Sequence, residues 1–181
     1  MFKKLKPLFK KKSSVVEQPE TKIEESQLDF PIDRADYFFD HALVFYCEEN
    51  DIPSEKLSKS DMLEISKRAA FHLSVFVAWL VKHDFLNPQS NGFNPEDEQK
   101  LKNETITGTD YLFKHLDEKL YSSDISDTLL PFISDFYEDY MDFCYRVLVD
   151  DIARSEFSWE IYHSVEDDID EIFSQYKTYI G

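Results

Sequence analysis

The sequence predicts an all-α protein: a single compact helical domain around a central buried hydrophobic helix, preceded by a disordered N-terminal tail. Three observations carry that reading. Only 3 glycines occur in 181 residues, too few for a turn-dense β fold or a Gly-rich phosphate loop. Apolar side chains recur at helical spacing, as in Leu129, Ile133, Phe136, Tyr140, Cys144 and Val147. The longest predominantly apolar run, Ala69 to Val81 with His72 inside it, is long enough for a buried helix and too short to cross a bilayer.

Residues 1–30 read as a basic, then polar, disordered tail, and residues 31–181 as the helical domain. The opening MFKKLKPLFKKK holds six lysines and no acid. The following SSVVEQPETKIEESQ is too polar to pack a face. Phe2, Leu5, Leu8 and Phe9 among the lysines allow membrane contact through residues 1–12 alone, although Pro7 weakens a helix there. No apolar stretch or small-residue cleavage site follows, so the basic start does not read as an export signal.

The first helix is expected from Asp33, its cap, to Glu49, with Pro53 and Ser54 marking the break. The second is expected from Asp61 to Phe85, with Ser60 as N-cap. Its second half is apolar nearly all round, through Phe71, Leu73, Val75, Phe76, Val77, Trp79, Leu80 and Val81. That pattern belongs to the centre of a domain. Asn87-Pro88 ends it. Residues 88–106 are polar and turn-rich, with room for a short helix from Glu96 to Leu101. Another short helix is expected from Thr109 to Leu116, after Gly108. A long helix follows from Ser126 to Ile152, with Pro131 tolerated near its start. Ser155 to Tyr162 reads as extended or irregular, with a short strand conceivable near Phe157 to Tyr162. The last helix runs from Val165 to Tyr179, capped by Ser164 with Asp167 at its third position. Cys47 and Cys144 read as small buried core residues of a cytoplasmic protein, and no CxxC occurs.

Charge narrows the partners. Lys+Arg total 20 against 37 Asp+Glu, a net charge of −17. Setting aside the six lysines of residues 1–12 leaves 14 basic against 37 acidic residues, a net −23 for the rest. Such a body repels phosphate backbones, so nucleic acid is not an expected partner. From Asp135 to Glu171 there are 13 acids against Arg146 and Arg154, a net −11. Acid near a helix N-terminus is partly local stabilisation. The remainder costs self-repulsion and suits a basic protein partner. The residues expected to meet it are Asp135, Glu138, Asp139 and Asp142 on the long helix, and Glu166, Asp167 and Asp170 on the last.

A second set, His72, Trp79, Tyr137, Tyr162 and His163, could line a ligand pocket, with a carboxylate such as Asp142 beside His72. None of the five histidines sits at HxxxH or HExxH spacing. His72 and His83 are about 16 Å apart along a helix, too far to share an ion. No metal or cofactor is expected, and no GxSxG, Walker, dinucleotide or EF-hand pattern occurs.

The string AFHLSVFVAW, from Ala70 to Trp79, resembles the A-x-H-hydrophobic-G-x-F-x-x-W segment of an uncharacterised family of small acidic bacterial proteins. Phe132 to Tyr137, with Tyr140, Asp142 and Phe143, is similar to that family's F-x-x-x-Y-Y…Y-x-D-Y helix. Tyr162-His163-Ser164-Val165-Glu166-Asp167 is similar to its Y-H-x-V-x-D approach to the last helix, and Asp117 with Leu120 to its D-x-x-L turn. Ser74 stands where the family has Gly, and Phe136 and Phe143 stand where it has Tyr. Asp33, Ala35 and His41 match its first Asp-Ala…Trp-His region loosely. The resemblance covers about residues 33–181. It implies an immunity-like or accessory protein of bacterial conflict systems, without an assigned activity. Charge and resemblance together lead to the expectation of a non-enzymatic, antitoxin-like protein that occludes a basic partner, such as a toxin domain, in the bacterial cytoplasm. The alternatives are a small metal- or ligand-binding enzyme centred on His72, and an accessory protein held at a membrane by its tail.

Overall fold

A two-stranded ribbon and seven α-helices make up the described part, residues 29–180, of the computed structural model. The expected tail over residues 1–30 lies almost wholly outside the described residues. Strand β1 (Pro31–Arg34) runs antiparallel to β2 (Lys119–Tyr121), with Asp33 opposite Leu120 and Arg34 opposite Lys119. The sequence reading made Asp33 a helix cap; it is a strand residue instead. Its flanks are fixed by long-range backbone bonds that an early helix would forfeit. The Ser122 N–H donates to the Phe30 carbonyl at 2.9 Å, and the Ala35 N–H to the Glu118 carbonyl at 2.9 Å. A 3-10 turn, Ala35–Phe38, leads into α1 (Phe39–Asn50). That helix closes on Asp51 in the left-handed region (φ 53°), whose N–H returns to the Cys47 carbonyl.

Helix α2 (Lys59–Ala69) is capped by Ser58, not Ser60. Ser58 Oγ accepts the Asp61 N–H at 3.2 Å, while the Asp61 carboxylate accepts the Ser58 N–H at 2.6 Å, a reciprocal capping box. The single helix expected from Asp61 to Phe85 is two. α2 stops at Ala69, and α3 (Phe71–Lys82) begins beyond Ala70, whose ψ of −3° departs from the α-helical value. Ala69 and Ala70 are both buried, and their small side chains let the joint sit inside the core. Every residue from Phe71 to Val81 is buried, so α3 is the central helix the apolar run predicts.

Helices α4 (Pro95–Lys102) and α5 (Gly108–His115) follow the expected short segments, capped by Asn94 and by a Thr107–Asp110 capping box. A Cβ at Gly108 would lie 2.0 Å from the Ser74 carbonyl oxygen, so α5 meets α3 backbone to backbone at a point only glycine allows. Thr109 Oγ1 donates to Ser74 Oγ at 2.9 Å across the same contact.

The helix expected from Ser126 to Ile152 is shorter. The N–H groups of Leu129 and Leu130 both fold back on the Ser126 carbonyl, Pro131 sits in a 3-10 turn, and α6 spans Ile133–Val147. Beyond it the chain turns on the Leu148 carbonyl, and Ala153 adopts a left-handed conformation (φ 63°). Helix α7 (Trp159–Ile180) starts earlier than expected. Ser158 Oγ accepts the Ile161 N–H at 3.2 Å, so of the stretch read as irregular, residues 155–158 are so and residues 159–162 form the helix's first turn. Ser164 lies inside α7 and donates to the Ile161 carbonyl instead of capping. Among the described residues the strands lie at β1 and β2, not near Phe157 to Tyr162.

α6 buries Ile133, Phe136, Tyr137, Tyr140, Phe143 and Cys144, and Tyr140 donates to the His72 carbonyl at 2.7 Å. Phe136 and Phe173 bring α6 and α7 together over Trp79, with ring centroids about 5 Å apart. The Cys144 thiol is pushed up to about 12 by burial. Cys47 is only half-buried, which corrects its placement in the core; both cysteines are free. Among the described residues no helix is long and apolar enough to cross a membrane.

Candidate functional site

The ribbon, α3 and α6 meet at one polar knot. His72 is fully buried on α3, and its Nε2 lies 2.9 Å from Asp33 Oδ2. Tyr137 of α6 donates to the same oxygen. The other carboxylate oxygen accepts the Arg34 N–H at 2.6 Å. The Phe38 ring packs edge-on against the imidazole, with centroids 4.8 Å apart. Burial works to raise the Asp33 carboxyl, but hydrogen bonding and charge from His72, then the Tyr137 and Arg34 donors, hold it below its ordinary value. Burial, followed by the charge of Asp33, pushes the Tyr137 phenol well above its ordinary range. Both oxygens of Asp33 are therefore occupied and the phenol keeps its proton. Chemically, this is a fastener of β1 to α3 and α6. His72 Nδ1 is buried and has no hydrogen-bond partner among the described residues.

The sequence reading offered Asp142 as a carboxylate for His72; the structure supplies Asp33. The other pocket candidates are distributed elsewhere. Trp79 is fully buried and donates Nε1 to Asp170 Oδ1 at 2.9 Å. Tyr162 is fully buried with its hydroxyl unpartnered among the described residues. His163 lies at the surface, with Nδ1 2.9 Å from Glu166 and Nε2 3.1 Å from Glu104. Those two carboxylates, Glu166 first, raise its pKa. Lys82 completes this group, 2.6 Å from Glu104 and over the Trp159 ring. The structure thus brings His72 and Tyr137 together, and gives Trp79 and His163 partners of their own. Among the described residues, no group of three or more His, Cys, Asp or Glu could hold a metal ion.

The seven acids assigned to a partner divide into two sets. Asp139 accepts the Tyr176 hydroxyl at 2.6 Å, Glu166 is held by His163, and Asp170 by Trp79 and His83. These three are half-buried. Asp135, Glu138, Asp142 and Asp167 are exposed, and among the described residues their carboxylates form no ion pair.

Two adjoining concavities give this surface its shape. Asp139 and Asp142 line a cleft of about 440 Å³ between α6 and α7, with Tyr145, Arg146, Ile172 and Gln175. Tyr145 also lines a largely apolar groove of about 310 Å³ with Tyr37, Phe38, Phe45, Val149 and Ile152. Tyr37, Tyr145 and Val149 are 70%, 49% and 56% exposed, so the groove presents apolar surface to water. Tyr37, which the sequence pattern counts among the apolar residues of the first helix, lies instead in the 3-10 turn before it and faces solvent. A signal existed for Tyr145, which directly follows Phe143 and Cys144 of the buried stripe and so turns outward.

The chain belongs to a family of domains of unknown function, DUF7832, whose model matches residues 32–164. The matched segment holds Asp33, His72 and Tyr137 together with the groove and α6. No curated protein and no solved structure gives a match.

Proposed function

We propose that the chain is a non-enzymatic binding protein, immunity- or antitoxin-like, that occludes a basic protein partner in the bacterial cytoplasm. The observation that carries this reading is Tyr145, shared by an apolar groove and a cleft lined by Asp139 and Asp142. An apolar seat beside the exposed Asp142 carboxylate fits a partner segment that alternates basic and apolar side chains. Apolar contact would set the pose, while Asp135, Glu138 and Asp142 speed and select the encounter. Asp139 ties α6 to α7 through Tyr176 and Asp170 ties α7 to α3 through Trp79, while Glu166 pairs with His163 within α7 and Asp167 adds to the field. The His72-centred enzyme reading gains no support from a ring wholly buried against a carboxylate with no free oxygen.

The test is affinity capture from native cells with the tagged chain, at low and high salt, beside Glu138→Lys plus Asp142→Lys. The expected result is a stoichiometric basic protein, released by salt and lost with the double substitution. Capture unchanged by both would overturn the acidic-surface mechanism.

A further inference from the structure

The groove has a candidate occupant in the chain itself. Residues 1–12 interleave Phe2, Leu5, Leu8 and Phe9 with six lysines. That is the chemistry the groove and its margins call for. The floor is apolar, through Phe38, Phe45 and Ile152. The cleft that shares Tyr145 carries Asp139 and Asp142 against one arginine, Arg146, and exposed Asp40 and Asp150 stand next in sequence to the lining residues His41 and Val149. Arg154 lies over the Phe45 ring at 3.9 Å, and Glu49, which Arg68 holds at 2.6 Å, stands 3.9 Å from it.

Connectivity points the same way. The described chain enters at Asp29, and Pro31 and Tyr37 share a surface hollow. Tyr37 then forms a wall of the groove. Residues 13–28 extended would span roughly 50 Å, more than the width of a domain this size. A tether of that length holds the basic segment at an effective concentration on the order of millimolar, so weak intrinsic affinity suffices.

We propose that residues 2–12 dock in cis into the groove formed by Tyr37, Phe45, Tyr145 and Val149, with their lysines against Asp142 and the neighbouring acids. The segment then competes with any outside basic partner for the same seat. The inference shares a surface with the proposed function but needs no partner, so either can fail without the other.

The experiment compares backbone amide spectra of the full chain with those of full-length F2S/L5S/L8S/F9S, which keeps all six lysines, at several protein concentrations. The expected result is a set of shift differences centred on Tyr37, Phe45, Tyr145 and Val149, independent of concentration. The shifts of the parent chain should move towards those of the variant as salt shortens the screening length to about 3 Å near 1 M. A second variant, Tyr145→Ser, should abolish the difference between tail-intact and tail-substituted chains. Identical spectra, or differences placed elsewhere, would overturn cis docking. Differences that grow with concentration would also overturn it, and would make a second copy the occupant.

Discussion

The contacts Asp33–His72 and His163–Glu166 have the same length, 2.9 Å, and opposite surroundings. His72 is 0% exposed, and its carboxylate also serves Tyr137 and the Arg34 N–H. The His163 side chain is 42% exposed, and water can replace either of its carboxylates. Inside, losing one member strands the others in a medium that cannot hydrate them. Outside, losing one member mostly returns a charge to solvent. A histidine–carboxylate contact is thus a fastener in one place and an adjustable surface charge in the other.

The largest test of that contrast is Asp33→Ala. It leaves His72 and Tyr137 without their acceptor and is expected to cost about 3 kcal/mol or more in denaturant unfolding. Its pH signature follows from the direction of the shift. The Asp33 carboxyl is held below 3.8, so its contribution is complete above that pH and disappears as pH falls through the lower folded value. Tyr137→Phe removes one of three donors and is expected to cost about 1 kcal/mol, with the helical signal intact. His163→Gln should cost less than about 1 kcal/mol, because the group is solvated. The folded pKa of His163 is raised above 6.5, so its contribution is complete below that pH and lost as pH rises through the folded value. The melting temperature of the parent should therefore fall slightly across that window, and that of the variant should stay flat. Asp142→Lys should change stability by no more than about 0.5 kcal/mol while weakening partner capture. If His163→Gln proved costlier than Asp33→Ala, the contrast would be reversed.

How much of this was legible depended on where the determining contacts lie in the chain. The central helix was plain, because eleven consecutive buried positions leave a signature in composition alone. Its separation from α2 was hidden, because Ala69 and Ala70 are good helix formers and only tertiary packing selects the joint. The ribbon was missed because β1 and β2 are four and three residues long and lie 85 positions apart at their nearest ends, Arg34 and Lys119. Short strands carry almost no periodic signal, and no local rule reports a distant partner. Asp33 was accordingly read as a helix cap, a role its residue type also suits. Ser158 could have been found as a cap before Trp159, but the later serine at 164 competed with it. Among the acids, residue type marked the charged region, whereas Tyr176, His83 and His163 decided which carboxylates remained unpaired. Those partners sit on other elements or turns, beyond the reach of spacing arguments.

The all-round burial of α3 also dictates how the molecule opens. With side chains packed on every face, Phe71–Val81 cannot be exposed by fraying one neighbour. Its amide hydrogens are expected to exchange with solvent deuterium only when the whole domain unfolds, and so to report the global free energy. The solvent-facing amides of α6 and α7 would exchange earlier, through smaller excursions. A deuterium time course would therefore divide the chain into an inner clock set by complete unfolding and an outer one set by local breathing, with the slowest protons all on one twelve-residue helix.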